Sequence, residues 1–173
     1  MLEDGSVYEG TARGDFKETA CEIVFNTSMT GYVEILTDPS YAGQGVVMTY
    51  PMIGNYGISR EDFESERLQP SAFIVHELSS DPSNFRCTDT IENLLKEYNI
   101  PCISGVDTRA VVKKLRESGT MRGVLTSDIG DRERLMDVIK SFRQIDLVGS
   151  VTAKQTKVYG EENTGAEIAL MDF

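Results

Sequence analysis

Residues 88–127 read TDTIENLLKEYNIPCISGVDTRAVVKKLRESGTMRGVLTS, and the period of their apolar residues changes along the run. Ile91, Leu94, Leu95 and Tyr98 fall at i, i+3, i+4 and i+7, one face of a helix. Thr88, Asp89 or Thr90 can cap it. Residues 100–104 form a short apolar run that predicts a strand. Asp107 predicts the cap of a second helix reaching Ser118, with Val111 and Leu115 inward and Gly119 as its stop. A strand follows over residues 122–127. A third helix spans residues 131–142 and buries Leu135, Val138, Ile139 and Phe142. Helix and strand alternate, and alternation implies parallel pairing in the sheet.

Before this stretch the texture is β. Asp4-Gly5 is a hairpin signal, because glycine supplies the positive φ of a tight turn; it predicts a short strand, then a second over residues 6–10. Residues 21–26, 46–50 and 72–76 are apolar enough for buried strands, and residues 81–84 read as a turn. Residues 27–60 combine turn-formers (Gly31, Gly43, Gly45, Gly54, Gly57, Pro39, Pro51) with Met29, Tyr32, Ile35, Leu36, Tyr41, Met52, Ile53 and Tyr56. Loops with that apolar content pack either on their own core or against another domain or subunit. Residues 59–69 are polar, an exposed loop or short helix. The expected fold class is α/β with a β-rich layer. Its expected domain covers residues 1–151, followed by a polar linker over 152–166. Residues 167–173 then look like the first strand of a further domain.

Composition removes several functions. The net charge of -11 repels a phosphate backbone, so nucleic acid is not an expected partner. The basic clusters, Lys113-Lys114 with Arg116 and Arg132 with Arg134, read as solvated helix faces. No run approaches the ~20 apolar residues of a membrane span. The acidic opening, Met1 to Gly5, is unlike a signal peptide. Three irregularly spaced cysteines, Cys21, Cys87 and Cys102, suit neither a disulfide framework nor a zinc site, so the expected compartment is a reducing cytoplasm.

The chemistry-bearing residues are few. His76, the one histidine, sits at a strand end, where such a residue could carry phosphate if glycines or a helix N-terminus held the group. Glu77 beside it opposes that. Cys21 and Cys102 lie in apolar strands. Cys87 precedes a helix, the better context for a low thiol pKa. Neither GxGxxG nor GxxxxGK[ST] occurs, and no cluster has metal-ligand spacing. By its chemistry the chain reads as a domain that binds or supports.

The run Phe25-Asn26-Thr27-Ser28-Met29-Thr30-Gly31-Tyr32, with Glu34-Ile35-Leu36-Thr37-Asp38-Pro39-Ser40-Tyr41 after it, resembles the small, glutamine-hydrolysing subunit of carbamoyl-phosphate synthase. Thr49-Tyr50-Pro51-Met52-Ile53-Gly54-Asn55, Ser83-Asn84-Phe85-Arg86 and Gly105-Val106-Asp107-Thr108-Arg109 extend the resemblance in order, and residues 2–5 and 169–173 fit it too. The resemblance implies an amino-terminal domain of three-layer β/β/α, swivelling type. It implies a ligase complex that makes carbamoyl phosphate from bicarbonate, glutamine and ATP for arginine and pyrimidine synthesis. The expected partners are the large subunit, which holds ATP with a divalent metal, an amidotransferase domain, and L-glutamine; no cofactor is expected on this chain. Ser40 is expected to help bind glutamine. Ser28, Met29, Gly31 and Tyr32 are expected beside the ammonia passage or the interface. The family's cysteine-histidine-glutamate triad is expected after Phe173, leaving this chain without glutaminase activity. The alternatives are a free-standing hydrolase or phosphotransfer domain using Cys87 or His76, and an interaction module of an unrelated assembly.

Overall fold

The computed structural model describes residues 1–14, 16–143, 146–158, 165 and 168–171. Its centre is a six-stranded sheet built from β1 (Thr11–Arg13), β2 (Thr19–Asn26), β3 (Gln44–Met48), β5 (Ala72–Ile74), β7 (Cys102–Ser104) and β8 (Met121–Leu125), in the order β1-β7-β5-β3-β2-β8. Neighbours from β7 through β2 run parallel, while β1 and β8 lie antiparallel on the two edges. The parallel pairing expected from the alternation is present. A small parallel pair, β4 (Met52–Ile53) with β6 (Glu77–Leu78), forms a second sheet.

Strand alternation sends successive side chains to opposite faces, and both faces are covered. On one face Val46, Met48 and Phe73 meet Ile53 of the small sheet, α1 (Tyr32–Thr37) through Val33 and Leu36, and α2 (Ile91–Glu97) through Ile91, Leu94 and Leu95. On the other, Val47 and Ile74 meet Val111, Val112 and Leu115 of α3 (Thr108–Ser118). Small sheet, central sheet and α3 therefore stack in turn, a mixed α/β arrangement. Helix α4 (Arg132–Ser141) packs Leu135 and Ile139 on Val124 of β8. Helix α5 (Leu147–Val151) sets Leu147 against Gly43.

The helix signals were accurate where caps are strong. Thr90 accepts from Asn93 N, and Asp107 accepts from Ala110 N at the start of α3, which ends at Gly119. Two expectations fail. Residues 6–10 form no strand: the Asp4-Gly5 turn closes Ser6 back on Leu2, but Leu2 bridges to Gly123 instead. Gly10 then passes so close to β7 that a Cβ there would stand 2.5 Å from Ser104 O. The second concerns the turn expected at 81–84, which tightens later, where Cys87 N donates to Asn84 O. Of the linker expected over 152–166 and the strand expected over 167–173, residues 159–164, 166, 167, 172 and 173 lie outside the described residues; residues 168–171 are exposed and in no strand here, Ile168 at 92%.

Candidate functional site

The glycine- and tyrosine-rich loops after β2 and β4 are joined by two phenols. Tyr56 Oη accepts from Gly31 N at 2.7 Å and from Tyr32 N at 3.2 Å. In return Tyr56 N donates to Tyr32 Oη at 3.2 Å, and Tyr32 Oη donates to Gly57 O at 2.8 Å. The rings stack with centroids 4.2 Å apart. Burial, then the neighbouring Tyr56, raises the Tyr32 phenol above its ordinary pKa, and burial does the same to Tyr56. Both phenols stay protonated, and the Tyr32 hydroxyl uses its proton as the donor to Gly57 O. Gly31 holds φ 81°, a conformation that favours glycine. Gly57 is at φ 70°, and a Cβ there would lie 2.2 Å from Cys87 Sγ. Glycine therefore lets the Cys87 loop press onto this frame.

Asn26, the last residue of β2, joins this region to the Ser40 turn. Its Oδ1 accepts from Ser28 N at 2.7 Å, and its Nδ2 donates to Tyr41 Oη at 2.9 Å. Ser40 lies in a 3-10 turn, Pro39–Tyr41, started by Asp38, whose carboxylate accepts from Ser40 N at 2.8 Å. Ser40 is exposed, and its hydroxyl has no hydrogen-bond partner among the described residues. Ser28 is also exposed, and Met29 is 69% exposed. Tyr32 is fully buried instead, so it shapes the loop from beneath. One Glu34 carboxylate oxygen, in the first turn of α1, is buried without a partner among the described residues.

The structure thus brings Ser28 and Ser40 under one organising side chain, and links Gly31 to Tyr32 through Tyr56. Asn26 and Tyr56 were not singled out from the sequence. Their roles depend on contacts across 15 and 25 residues, which no local pattern carries.

His76 and Cys87 are not brought together. His76 Nδ1 lies 3.1 Å from Val106 O, at one end of the sheet, and the ring donates there when Nδ1 carries the proton. Cys87 Sγ donates to Asp89 O at 3.3 Å. Burial pushes the Cys21 and Cys102 thiols up to about 12, which makes them poor nucleophiles. The described residues contain no group of three potential metal ligands, and none of their helices is long and apolar enough to cross a membrane. A cavity of about 430 Å³ between the sheet and the first residues is walled mainly by aliphatic side chains such as Leu2, Val47, Ile74 and Val106; it lies apart from the Ser40 loops.

Residues 1–125 match the family described as carbamoyl-phosphate synthase small chain, CPSase domain. The chain is 46% identical over its whole length to the carbamoyl phosphate synthase small chain of Clostridium perfringens, covering 49% of that protein. It is 48% identical to that of Archaeoglobus fulgidus over 99% of its own length and 48% of the relative's. Against that of Fusobacterium nucleatum it is 54% identical over its whole length, covering 48% of the relative. The chain spans about half the length of the curated relatives it matches.

Proposed function

Because the chain belongs to the carbamoyl-phosphate synthase small-chain family, we propose that it forms the part of a small chain that supports glutamine binding and docks to the large, ATP-binding chain. The reading rests chiefly on one observation: Asn26 fixes the Ser28 and Ser40 turns to each other while leaving both serines open to a partner surface. Ser40 contributes a hydroxyl that both donates and accepts, which suits the polar groups of an amino-acid substrate. Its backbone is held by Asp38, so the hydroxyl is presented on a prepared turn.

Ser28, Met29 and Gly31 then line the route or the interface through which ammonia passes, with Tyr32 and Tyr56 as the rigid floor. Glutamine hydrolysis belongs to an amidotransferase domain that follows residues 152–166, and the exposed residues 168–171 pair as a strand once that domain supplies partners. ATP and its divalent metal sit on the large chain. The product feeds arginine or pyrimidine synthesis, and the complex works in the cytoplasm.

The test is kinetic. In a full-length small chain assembled with its large chain, Ser40→Ala should raise the glutamine KM about tenfold, the loss of roughly one hydrogen bond to a charged substrate. Assembly should be unchanged. An unaltered KM removes Ser40 from the site. The 173-residue chain alone should show no glutaminase activity, and turnover by it would return attention to Cys87 and His76.

A further inference from the structure

Helix α3 carries three cations that no acid answers. Several basic side chains of this acidic chain do meet an acid: Lys114 reaches Asp4, Arg122 reaches Glu3, Arg134 reaches Glu18, and Arg86 reaches Asp62, while others, such as Arg13 and Arg132, enter no ion pair among the described residues. Arg109, Lys113 and Arg116 enter no ion pair among the described residues. They stand at i, i+4 and i+7, one stripe of the helix. That stripe forms one wall of an open groove of about 510 Å³, whose other wall includes Thr27 and Thr49. Glu117 is the single acid among the described residues of the lining.

The opposite wall is built by the sheet. Thr27 and Thr49 each follow the last residue of a strand, β2 and β3, and Thr49 N donates to Asn26 O at 3.0 Å, which ties the two ends together. Ligands of open α/β sheets collect outside the carboxyl ends of parallel strands. Arg116 is oriented by Phe25, its guanidinium carbon 5.8 Å from the ring centroid. The groove is separate from the Ser40 turn. Along β2, Phe25 packs with the α3 face, whereas Asn26 turns the other way to Tyr41.

The chemistry favours phosphate. Two planar guanidinium forks, an ammonium and two hydroxyls exceed what one carboxylate can use, whereas a phosphate offers several charged oxygens. Against a net charge of -11, a local excess of three cations over one acid favours anions in this groove. Its volume lies within the range of small-molecule sites.

We propose that the groove between α3 and the ends of β2 and β3 binds a small phosphate-bearing metabolite, with a phosphate or diphosphate held by Arg109, Lys113 and Arg116. Thr27 precedes Ser28, so the occupied groove also fixes the root of the Ser28 loop. This assignment is independent of the family reading, which places nucleotide on another chain.

Inorganic pyrophosphate, titrated calorimetrically into the full chain at constant ionic strength, is the first probe. Saturable one-to-one binding is expected. The Arg109→Gln, Arg116→Gln double variant should weaken it by about tenfold or more, and Lys113→Gln by a smaller factor. Lys114→Gln, on the same helix but paired to Asp4, should leave it unchanged. Both lysines are surface side chains, and melting curves check that each variant folds. Absence of saturation overturns the proposal. So does equal weakening by Lys114→Gln, which would mean diffuse helix charge. If the double variant instead weakens association with a partner chain while pyrophosphate never binds, the groove takes an acidic protein surface and the proposal is wrong.

Discussion

Tyr56 shows how much one atom can organise. Its phenolic oxygen accepts two backbone N–H groups, from Gly31 and Tyr32, at the point where the chain turns from loop into α1. That helix has Gly31 at its N-cap and no side-chain cap, so the phenol does the work a capping serine or aspartate does elsewhere. Tyr56→Phe keeps the ring stack on Tyr32 but strands both donors in a half-buried place. A loss of about 1–3 kcal/mol in urea unfolding is expected, with faster amide exchange at Gly31 and Tyr32 than elsewhere in α1. Unchanged exchange would mean the phenol does not cap the helix. Ser28, Met29 and Ser40 became candidates through a resemblance of whole motifs. Asn26 sits inside the same motif and Tyr56 just past another, yet they pass as strand end and loop aromatic, because only folding shows where their polar atoms go.

Elements were legible in proportion to how much of their stability is local. Helix α3 has an aspartate cap, apolar residues at helical spacing and a terminal glycine at φ 82°, so its bounds follow from the sequence alone. Helix α1 has six residues, three of them β-branched (Val33, Ile35 and Thr37), and a left-handed glycine before it. Such a segment is helical because Val33 and Leu36 are buried against the sheet, a tertiary cause without a local signal. Helix α4 is tied to the sheet from outside its apolar face as well. Glu18 receives both guanidinium nitrogens of Arg134 and the hydroxyl of Thr126, and these bonds hold its carboxyl down to about 2. Because the folded value lies below the unfolded one, the stabilisation is complete above the ordinary carboxylate range and disappears as pH falls through about 2. Glu18→Gln should therefore melt slightly below the parent at pH 7, with the gap closing steadily below pH 4.5. The effect is small because the pair faces solvent. A gap that persists at pH 2 would assign the loss to packing instead of charge.

At the scale of the whole molecule, two electrostatic terms respond to salt with opposite signs. The described residues hold ion pairs at 2.5 to 3.4 Å, all at least partly exposed. Each contributes about 0–1 kcal/mol. The net charge of -11 contributes repulsion between carboxylates spread over the whole surface. Screening at ~0.15 M ionic strength acts over a Debye length of about 8 Å. Contact pairs lie well inside that length and lose only part of a small term, whereas dispersed like charges lie at or beyond it and lose most of their repulsion. The melting temperature should thus rise as sodium chloride is raised from low to physiological concentration, and a fall would mean that the contact pairs dominate. The same charges act in the opposite sense on docking. A partner chain that meets this acidic surface with basic groups is drawn in by the unscreened field, so the association rate should fall over the same salt range. A stopped-flow rate that does not change with salt would put the contact on uncharged side chains such as Met29 and Ser40, away from the acidic surface.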